Sequence, residues 1–217
     1  MSTKKIDRIR VVIAGAGSAG FGIFRILTEA GCTDIIVTDS IGALHVNRTV
    51  GMENPYKREI ANKSNPLKLS GSLFEVMKGA DVFIGVSGKG NLVNKDIIKK
   101  MNPDPIVFGL SNPDPEILPS DALEGGARIV ATRRSDFANQ ISNAVVFPSI
   151  LSALLDLRIN TLSQSMLVAV ATALSNILDN KQLRSDYILP KVDDPRIIHI
   201  VTDTLRNIIQ SHMEDKN

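Results

Sequence analysis

The stretch VVIAGAGSAG, residues 11–20, decides the fold class that this sequence predicts. A run of apolar, mostly β-branched residues leads into a glycine-rich turn, and the residues after the turn are compatible with a helix. A second β-type run, residues 35–38, ends next to Asp39. Strand, turn, helix and strand in this order form a βαβ unit, whose two strands pair in parallel.

Each glycine of the turn has a physical role in such a unit. Gly15 permits a tight turn, Gly17 lets the backbone approach a pyrophosphate, and Gly20 lets the helix and the strand pack closely. The N–H groups of the first helical turn, at Ser18 and Ala19, would then face the phosphates. The pattern predicts a dinucleotide site. The alternative is a glycine-rich turn that only packs the βα unit.

Asp39 lies about 20 residues beyond the turn, where an acidic residue binds the adenosine ribose in dinucleotide-binding folds. A carboxylate there can accept hydrogen bonds from the ribose diol and would repel a 2′-phosphate. We therefore expect NAD as the cofactor in preference to NADP, with NADP as the alternative.

The composition excludes several classes of function. The chain has 217 residues, of which 43% are hydrophobic and 22% charged, as in an ordinary globular protein. A net charge of +2 and an aromatic content of 4% favour neither nucleic acid nor an anionic membrane as a partner. Cys32 is the single cysteine, which excludes an internal disulfide and favours a reducing compartment. Because no signal-peptide pattern or long apolar stretch is present, we expect a cytoplasmic protein.

Short apolar runs alternate with helical patterns through the first two-thirds of the chain. This predicts an α/β fold, a Rossmann-type, doubly wound, mainly parallel sheet, over residues 1–148. Residues 149–217 change to a helical pattern and are expected to form a helical extension packed on the same domain. The predicted strands are 10–14, 34–38, 82–86, 106–110, 129–131 and, as a sixth, 144–147. The predicted helices are 19–30, 72–77, 94–101, 120–124, 149–158, 163–178 and 194–213, with a further helix and loop within 54–65.

Three further loops follow predicted strands, at the sheet edge where open α/β folds bind ligands. The first contains Ser87 and Gly88, which would lie close to the ribose or the nicotinamide. The second, with the sequence SNPDPE, contains Asn112, whose amide the flanking prolines would hold in place. A turn with an Asx-type cap explains this second loop equally well.

The third loop, residues 133–143, combines cations, amides and hydroxyls. Arg133 and Arg134 are most simply solvated, and Asn143 can cap a strand edge. The three histidines, His45, His199 and His212, match no metal or triad pattern. No acidic cluster has the spacing of metal ligands, and no serine or cysteine lies on a nucleophile elbow. The chain can hold a hydride carrier, yet it shows no acid, base or metal set to use with one.

A series of motifs continues in order along the whole chain, and together these motifs resemble the malic enzymes of bacteria and archaea. The motifs are GAGSAG at 15–20, VTDS at 37–40, NPYK at 54–57, ADVFIGVS at 80–87, PIVF at 105–108, LSNPDPE at 110–116, AT at 131–132, RSDF at 134–137, NQ at 139–140, FP at 147–148 and YILP at 187–190.

The resemblance implies a function. Malic enzymes oxidatively decarboxylate malate to pyruvate and CO₂ with NAD or NADP and a divalent metal, Mg²⁺ or Mn²⁺. By motif, Asn112 resembles an asparagine that contacts nicotinamide and substrate, and Asn143 resembles one that contacts the malate carboxylate. Gly15, Gly17, Gly20 and Asp39 match the cofactor fingerprint. In some NADP-dependent members a Lys or Arg compensates for the acid; Arg48 and Lys57 are available here, although as solvated charges they need no such role.

The resemblance covers the cofactor-binding half alone. The family's tyrosine, lysine and acidic metal ligands precede the glycine turn, so we expect a separate catalytic half, as a partner subunit or a missing domain, to supply them. The isolated chain is then expected to be inactive, and its apolar helical tail predicts an oligomer or a docked partner. The alternatives are a stand-alone NAD(P)-binding regulatory or sensor module and a decayed or truncated product.

Four positions depart from the family's pattern, and all of them lie in loops near the predicted site. Arg133 replaces a glycine, Ala138 a proline, Ser142 the first asparagine of an Asn-Asn pair, and Lys89 a proline. These departures affect the conformation expected for the loop on the substrate side.

Overall fold

The computed structural model describes residues 4–179 and 181–214. In it, the apolar run before the glycine turn forms a strand, as its β-branched residues predict. Four later runs form strands as well. The strands are β1 (Arg10–Ala14), β2 (Asp34–Thr38), β3 (Val82–Gly85), β4 (Ile106–Gly109) and β5 (Ile129–Thr132). The helices are α1 (Ser18–Glu29), α2 (Pro55–Lys63), α3 (Leu73–Val76), α4 (Lys95–Ile98), α5 (Pro119–Glu124), α6 (Phe147–Asp156), α7 (Gln164–Ser175) and α8 (Arg196–Glu214).

All five strands are parallel and lie in the order β2-β1-β3-β4-β5. The chain moves outward from β1 to β2 and then returns past β1 to β3. The strand order therefore reverses between β1 and β3, and a crevice opens beyond the carboxyl ends of strands at such a point. The doubly wound parallel sheet that the sequence predicts is confirmed.

Alternate residues of each strand face opposite sides of the sheet, and both sides are covered. Val12 and Phe83 belong to one apolar cluster, together with residues of α3, α4 and α5. Val11 and Ile13 belong to the other, where Phe24 of α1 packs. Burial on both faces explains why these strands are continuous apolar runs in the sequence.

The chain divides into two compact units, Met1–Gln140 and Ile141–Asn217. The division comes before the predicted boundary at 148/149, so Asn143 belongs to the second unit. In that unit α6, α7 and α8 share one apolar core, which includes Ala153, Val170 and Val201. Among the described residues no helix is long and apolar enough to cross a membrane.

The sixth strand predicted at 144–147 is wrong. Residues Asn143–Val145 form a 3-10 turn, and α6 begins at Phe147. The Ser142 hydroxyl caps the turn by accepting a hydrogen bond from the Ala144 N–H at 3.2 Å. Pro148 lies in the first turn of α6, where a residue without an N–H is tolerated. The apolar residues here lead into a helix. A short apolar run in a sequence does not distinguish the start of a helix from a strand.

Candidate functional site

A cavity of about 630 Å³ opens beyond the carboxyl ends of β1, β2 and β3, where the strand order reverses. All of its lining residues belong to the first compact unit. They are Ala14–Gly17, Thr38–Gly42, Asn54, Lys57, Ser72–Phe74, Val86, Ser87, Lys89 and Leu92. The cavity therefore brings the glycine turn, Asp39 and the loop after β3 to one place, as the sequence predicts.

The glycine turn is tightly packed at Gly15 and Gly20 and open at Gly17. Gly15 has a φ of +118°, and a Cβ added there would lie 2.5 Å from the Val86 carbonyl oxygen. A Cβ at Gly20 would lie 1.8 Å from the Gly15 carbonyl oxygen, so the start of α1 packs directly on the turn. A Cβ at Gly17 would meet no atom within 4 Å. The space in front of Gly17 is therefore free for a ligand.

Helix α1 starts at this turn with its N-terminal N–H groups uncapped by any side chain. Gly17 is the N-cap, and the first turn contains no acidic residue. The first N–H groups of a helix have no partner within the helix, and the helix dipole gives this end a partial positive charge. Ser18 and Ala19 thus present N–H donors of the kind that bind phosphate.

Asp39 lines the cavity, and its side chain is almost completely buried, with 7% exposed. One carboxylate oxygen accepts hydrogen bonds from the backbone N–H groups of Ile41 (2.9 Å) and Gly42 (3.3 Å). The other accepts from the Arg48 guanidinium and the Lys57 ammonium, both at 2.8 Å. The four donors saturate the carboxylate.

These contacts keep Asp39 ionised. Burial by itself raises the pKa of Asp39, but hydrogen bonds from Arg48, Lys57 and Ile41 outweigh it and lower the pKa to about 2. Asp39 is thus paired with two cations: Arg48, which is buried, and Lys57, which lines the cavity.

Arg48 and Lys57 are not the solvated charges that the sequence suggests most simply. Arg48 has 7% of its side chain exposed and also donates to the carbonyls of Gly42 and Val50. Its contacts hold the loop after β2 in place. Lys57 has 24% of its side chain exposed, lines the cavity and can turn toward a ligand. Nothing in the spacing of 39, 48 and 57 indicates this cluster, because the loop path between them is not readable from the sequence.

Sequence reasoning missed Glu116, which is completely buried at the ends of β3 and β4. Its carboxylate accepts hydrogen bonds from the N–H and hydroxyl of Ser87, at 2.8 and 2.9 Å. It also accepts from the hydroxyl and N–H of Ser111, at 2.5 and 3.1 Å. The one available signal was an acid that closes the SNPDPE segment just before the apolar Ile117.

Asn112 follows Ser111 directly and is exposed at the carboxyl end of β4. No hydrogen bond of its side chain is present within the described residues, so an Asx-type cap is not observed. Ser87 and Lys89 line the cavity. Gly88 lies between them with a φ of +73°. Asn143 begins the 3-10 turn of the second unit and is exposed.

The loop after β5 folds back on itself. Arg134 forms two hydrogen bonds with the Asp136 carboxylate, at 2.9 and 2.6 Å, and its guanidinium lies 4.9 Å from the centre of the Phe137 ring. Arg134 is therefore paired, although the ion pair lies at the surface, with 35% of the Arg134 side chain and 55% of the Asp136 side chain exposed. Arg133 is exposed, and its carbonyl accepts a hydrogen bond from Gln140 at 3.2 Å.

The part of the chain that the structure describes contains no group of three His, Cys, Asp or Glu residues placed to hold a metal ion. The described residues therefore offer no site that fits the divalent metal implied by the resemblance.

Comparison with known proteins agrees with this geometry. The family model described as "Malic enzyme, NAD binding domain" matches residues 1–205. A bifunctional malic/malolactic enzyme of Bacillus subtilis is 42% identical over 197 residues, which are 91% of this chain and 48% of that protein. An NAD-dependent malic enzyme of Geobacillus stearothermophilus is 44% identical over 198 residues, 91% of this chain and 41% of that protein.

The crystal structure of an NAD-dependent malic enzyme from Thermotoga maritima superposes with a TM-score of 0.87 at 37% identity, covering 93% of this chain and 52% of that one. NADP-dependent malic enzymes are also among the relatives. The chain spans about half the length of the relatives it matches or less. The match over nearly all of this chain shows that it belongs to the family of malic enzyme NAD-binding domains.

Proposed function

We propose that this chain holds NAD in the cavity beyond β1, β2 and β3 and acts as the dinucleotide-binding half of a malic enzyme. In that role it supports the oxidative decarboxylation of malate to pyruvate and CO₂. One observation carries the proposal: the open space before Gly17 lies against the uncapped N-terminus of α1, with Asp39 in the same cavity.

Residues that line or adjoin the cavity suit the successive parts of a dinucleotide. The α1 N-terminus, with Gly17, Ser18 and Ala19, would bind the pyrophosphate. Asp39 and Lys57 would contact the adenosine ribose. Ser87, Gly88 and Asn112, beyond β3 and β4, would lie toward the nicotinamide.

NAD is the cofactor that we propose, because Asp39 stays ionised next to the ribose position. Lys57 offsets part of the repulsion between this carboxylate and a 2′-phosphate. We therefore expect NADP to bind more weakly than NAD rather than to be excluded.

A bound dinucleotide supplies the hydride acceptor. The chain's own residues bind and orient the reactants: Asn112 and Asn143 would present amides to the nicotinamide and to the malate carboxylate. No described residue set fits the metal, and no acid–base pair of the first unit is assigned to proton transfer. A catalytic half must supply both.

The exposed face of α6 is the surface that we propose for this catalytic half. Phe147, Leu151 and Leu155 follow one another at helical spacing and are 62%, 46% and 71% exposed. An apolar stripe of this kind marks an interaction surface. The relatives are about twice as long as this chain or longer, so their remaining sequence is the partner to expect. Light scattering on the isolated chain measures its mass in solution. A dimeric mass would show that the chain associates with a second copy of itself.

Reconstitution tests the proposal. The chain is mixed with the separately expressed remainder of a related malic enzyme, Mn²⁺, malate and NAD, and NADH formation is followed by absorbance. We expect activity from the mixture and none from either part alone. Silence of the mixture, when the intact relative is active, contradicts the proposed enzyme role. Tight NAD binding without any activity would then indicate a regulatory or sensor module.

A further inference from the structure

Glu116 is a buried carboxylate that touches neither the cavity nor bulk water, yet it connects two loops of the site. Its oxygens accept all four hydrogen bonds from Ser87 and Ser111, one residue from each loop. A buried charge is expensive unless such donors stabilise it. Because all four of these donors belong to the two loops, Glu116 joins the loops to each other.

The network extends beyond the direct contacts. The Gly88 N–H donates to the Ser111 hydroxyl at 2.8 Å, and that hydroxyl donates to Glu116. The Lys89 N–H donates to the Ser87 hydroxyl at 3.1 Å, and that hydroxyl also donates to Glu116. Three consecutive backbone N–H groups, from Ser87 to Lys89, are therefore held by Glu116 directly or through one serine.

The space around Glu116 is equally specific. A Cβ added to Gly85, the last residue of β3, would lie 2.4 Å from the Glu116 carboxyl carbon. The missing side chain of Gly85 thus leaves the room that the carboxylate occupies. Glycine at the end of β3 and glutamate after β4 form one structural unit across two adjacent parallel strands.

We propose that Glu116 is a positioning residue for the nicotinamide half of the dinucleotide. It fixes the segment Ser87–Lys89 along the cavity and, through Ser111, joins this segment to the backbone that carries Asn112. Because the loop is ordered before the ligand arrives, binding does not have to supply the entropy of ordering it. The adenosine half, bound near Asp39, does not depend on Glu116. The inference rests on the proposed placement of the dinucleotide in this cavity.

The test compares two ligands on one variant. In Glu116→Gln an amide NH₂ replaces one carboxylate oxygen. A hydrogen-bond donor then faces serine groups that donate in the wild type, so at least one hydrogen bond is lost. We expect the Kd for NADH, measured by calorimetry, to rise about tenfold, equivalent to about 1.4 kcal/mol. The Kd for AMP, which fills the adenosine end alone, should stay within about twofold. A general loss of structure would weaken both ligands, so the difference between them is the readout.

Ser111→Ala provides a second variant that keeps the carboxylate and removes the relay to Gly88. We expect a smaller effect of the same kind, with NADH weakened about fourfold and AMP unchanged. If Glu116→Gln does not fold, this variant tests the positioning role of Glu116 instead. Glu124→Gln, at an exposed glutamate paired with Lys95, is the matched control and should change neither Kd.

Unchanged NADH binding in the folded variants, or equal losses for NADH and AMP, would overturn the role of Glu116. Failure of the wild-type chain to bind either ligand is a different result, because it overturns the proposed function itself.

Discussion

Asp39 shows how one residue can combine a structural and a ligand-binding role. Its carboxylate holds the loop after β2 through the Ile41 and Gly42 N–H groups and through Arg48, and it faces the cavity beside Lys57. Its acceptor positions are filled before any ribose arrives. A ribose diol therefore has to share or replace the contact with Lys57, which is the more exposed of the two charged partners.

The depressed pKa of Asp39 gives its contribution to stability a defined pH dependence. The carboxyl has a pKa of about 2 in the fold against an ordinary value of 3.8, so its stabilisation is fully present above pH 4. It is lost as the pH falls through about 2. We expect Asp39→Asn to lower the free energy of unfolding by about 2 kcal/mol at pH 6, and by roughly half of that near pH 3.

Urea unfolding of both proteins at several pH values, followed by circular dichroism, measures this difference. Asp96→Asn, at an exposed carboxylate paired with Lys99, is the control and should show little change. A difference for Asp39→Asn that is constant from pH 6 to pH 3 would mean that the ion pairs with Arg48 and Lys57 contribute nothing.

We expect Lys57 to determine the affinity of the chain for NADP relative to NAD. Lys57→Ala leaves the Asp39 charge less compensated at the ribose position, so repulsion of a 2′-phosphate grows. We expect the Kd for NADP to rise about tenfold and that for NAD less than about threefold, measured by fluorescence titration. Lys63→Ala on the same helix is the matched control, because Lys63 is exposed and pairs with Glu59. Equal changes for both cofactors would contradict a role for Lys57 in cofactor choice.

At the scale of the secondary structure elements, the turn between β1 and α1 separates folding from binding. Gly15 and Gly20 are required by contacts within the protein, since a Cβ at either would overlap backbone. Gly17 is required by none, because the space around it is open. One motif therefore contains two glycines for the fold and one for the ligand.

Alanine substitutions distinguish these roles. Gly20→Ala should lower the free energy of unfolding by about 2 kcal/mol or more, because the start of α1 must move off the turn. Gly17→Ala should leave the melting temperature nearly unchanged and weaken NADH binding at least tenfold, since a methyl group would occupy the phosphate position. Gly22→Ala, within α1 and facing open space, should be neutral or slightly stabilising.

Thermal melting and NADH titration of the three variants provide the check. If Gly17→Ala binds NADH as well as the wild type does, the pyrophosphate does not lie against this turn.

At the scale of the whole molecule, the cavity belongs to one of two compact units. All its lining residues lie before Gln140, whereas α7 and α8 lie in the second unit. A ligand stabilises the part of a protein that it binds. NAD should therefore act on the first unit directly.

Hydrogen exchange measures where this stabilisation falls. With NAD at a hundred times its Kd, we expect up to about 2.7 kcal/mol of added protection in residues 15–21, 39–44 and 86–93. Residues 167–175 and 200–211, in α7 and α8, should exchange as before. Protection confined to α7 and α8 would place the ligand elsewhere.

The sequence by itself determined the sheet, its parallel strands and the glycine turn, because these follow from local patterns. Apolar runs buried on both faces specify strands, and the steric demands of a tight turn specify glycine. The same locality explains the error at residues 144–147, where apolar residues that precede Pro148 begin a helix.

Only the tertiary structure decided which side chains meet at the ends of the strands. The pairing of Asp39 with Arg48 and Lys57, and the burial of Glu116 beneath Ser87 and Ser111, depend on loops that return to the sheet edge from distant positions. Hydrogen bonds and ion pairs act over a few ångströms in space, and spacing along the chain does not encode that distance when the path between is irregular. The sequence therefore identified where a dinucleotide would bind, and the fold determined which charges and which buried carboxylate shape that site.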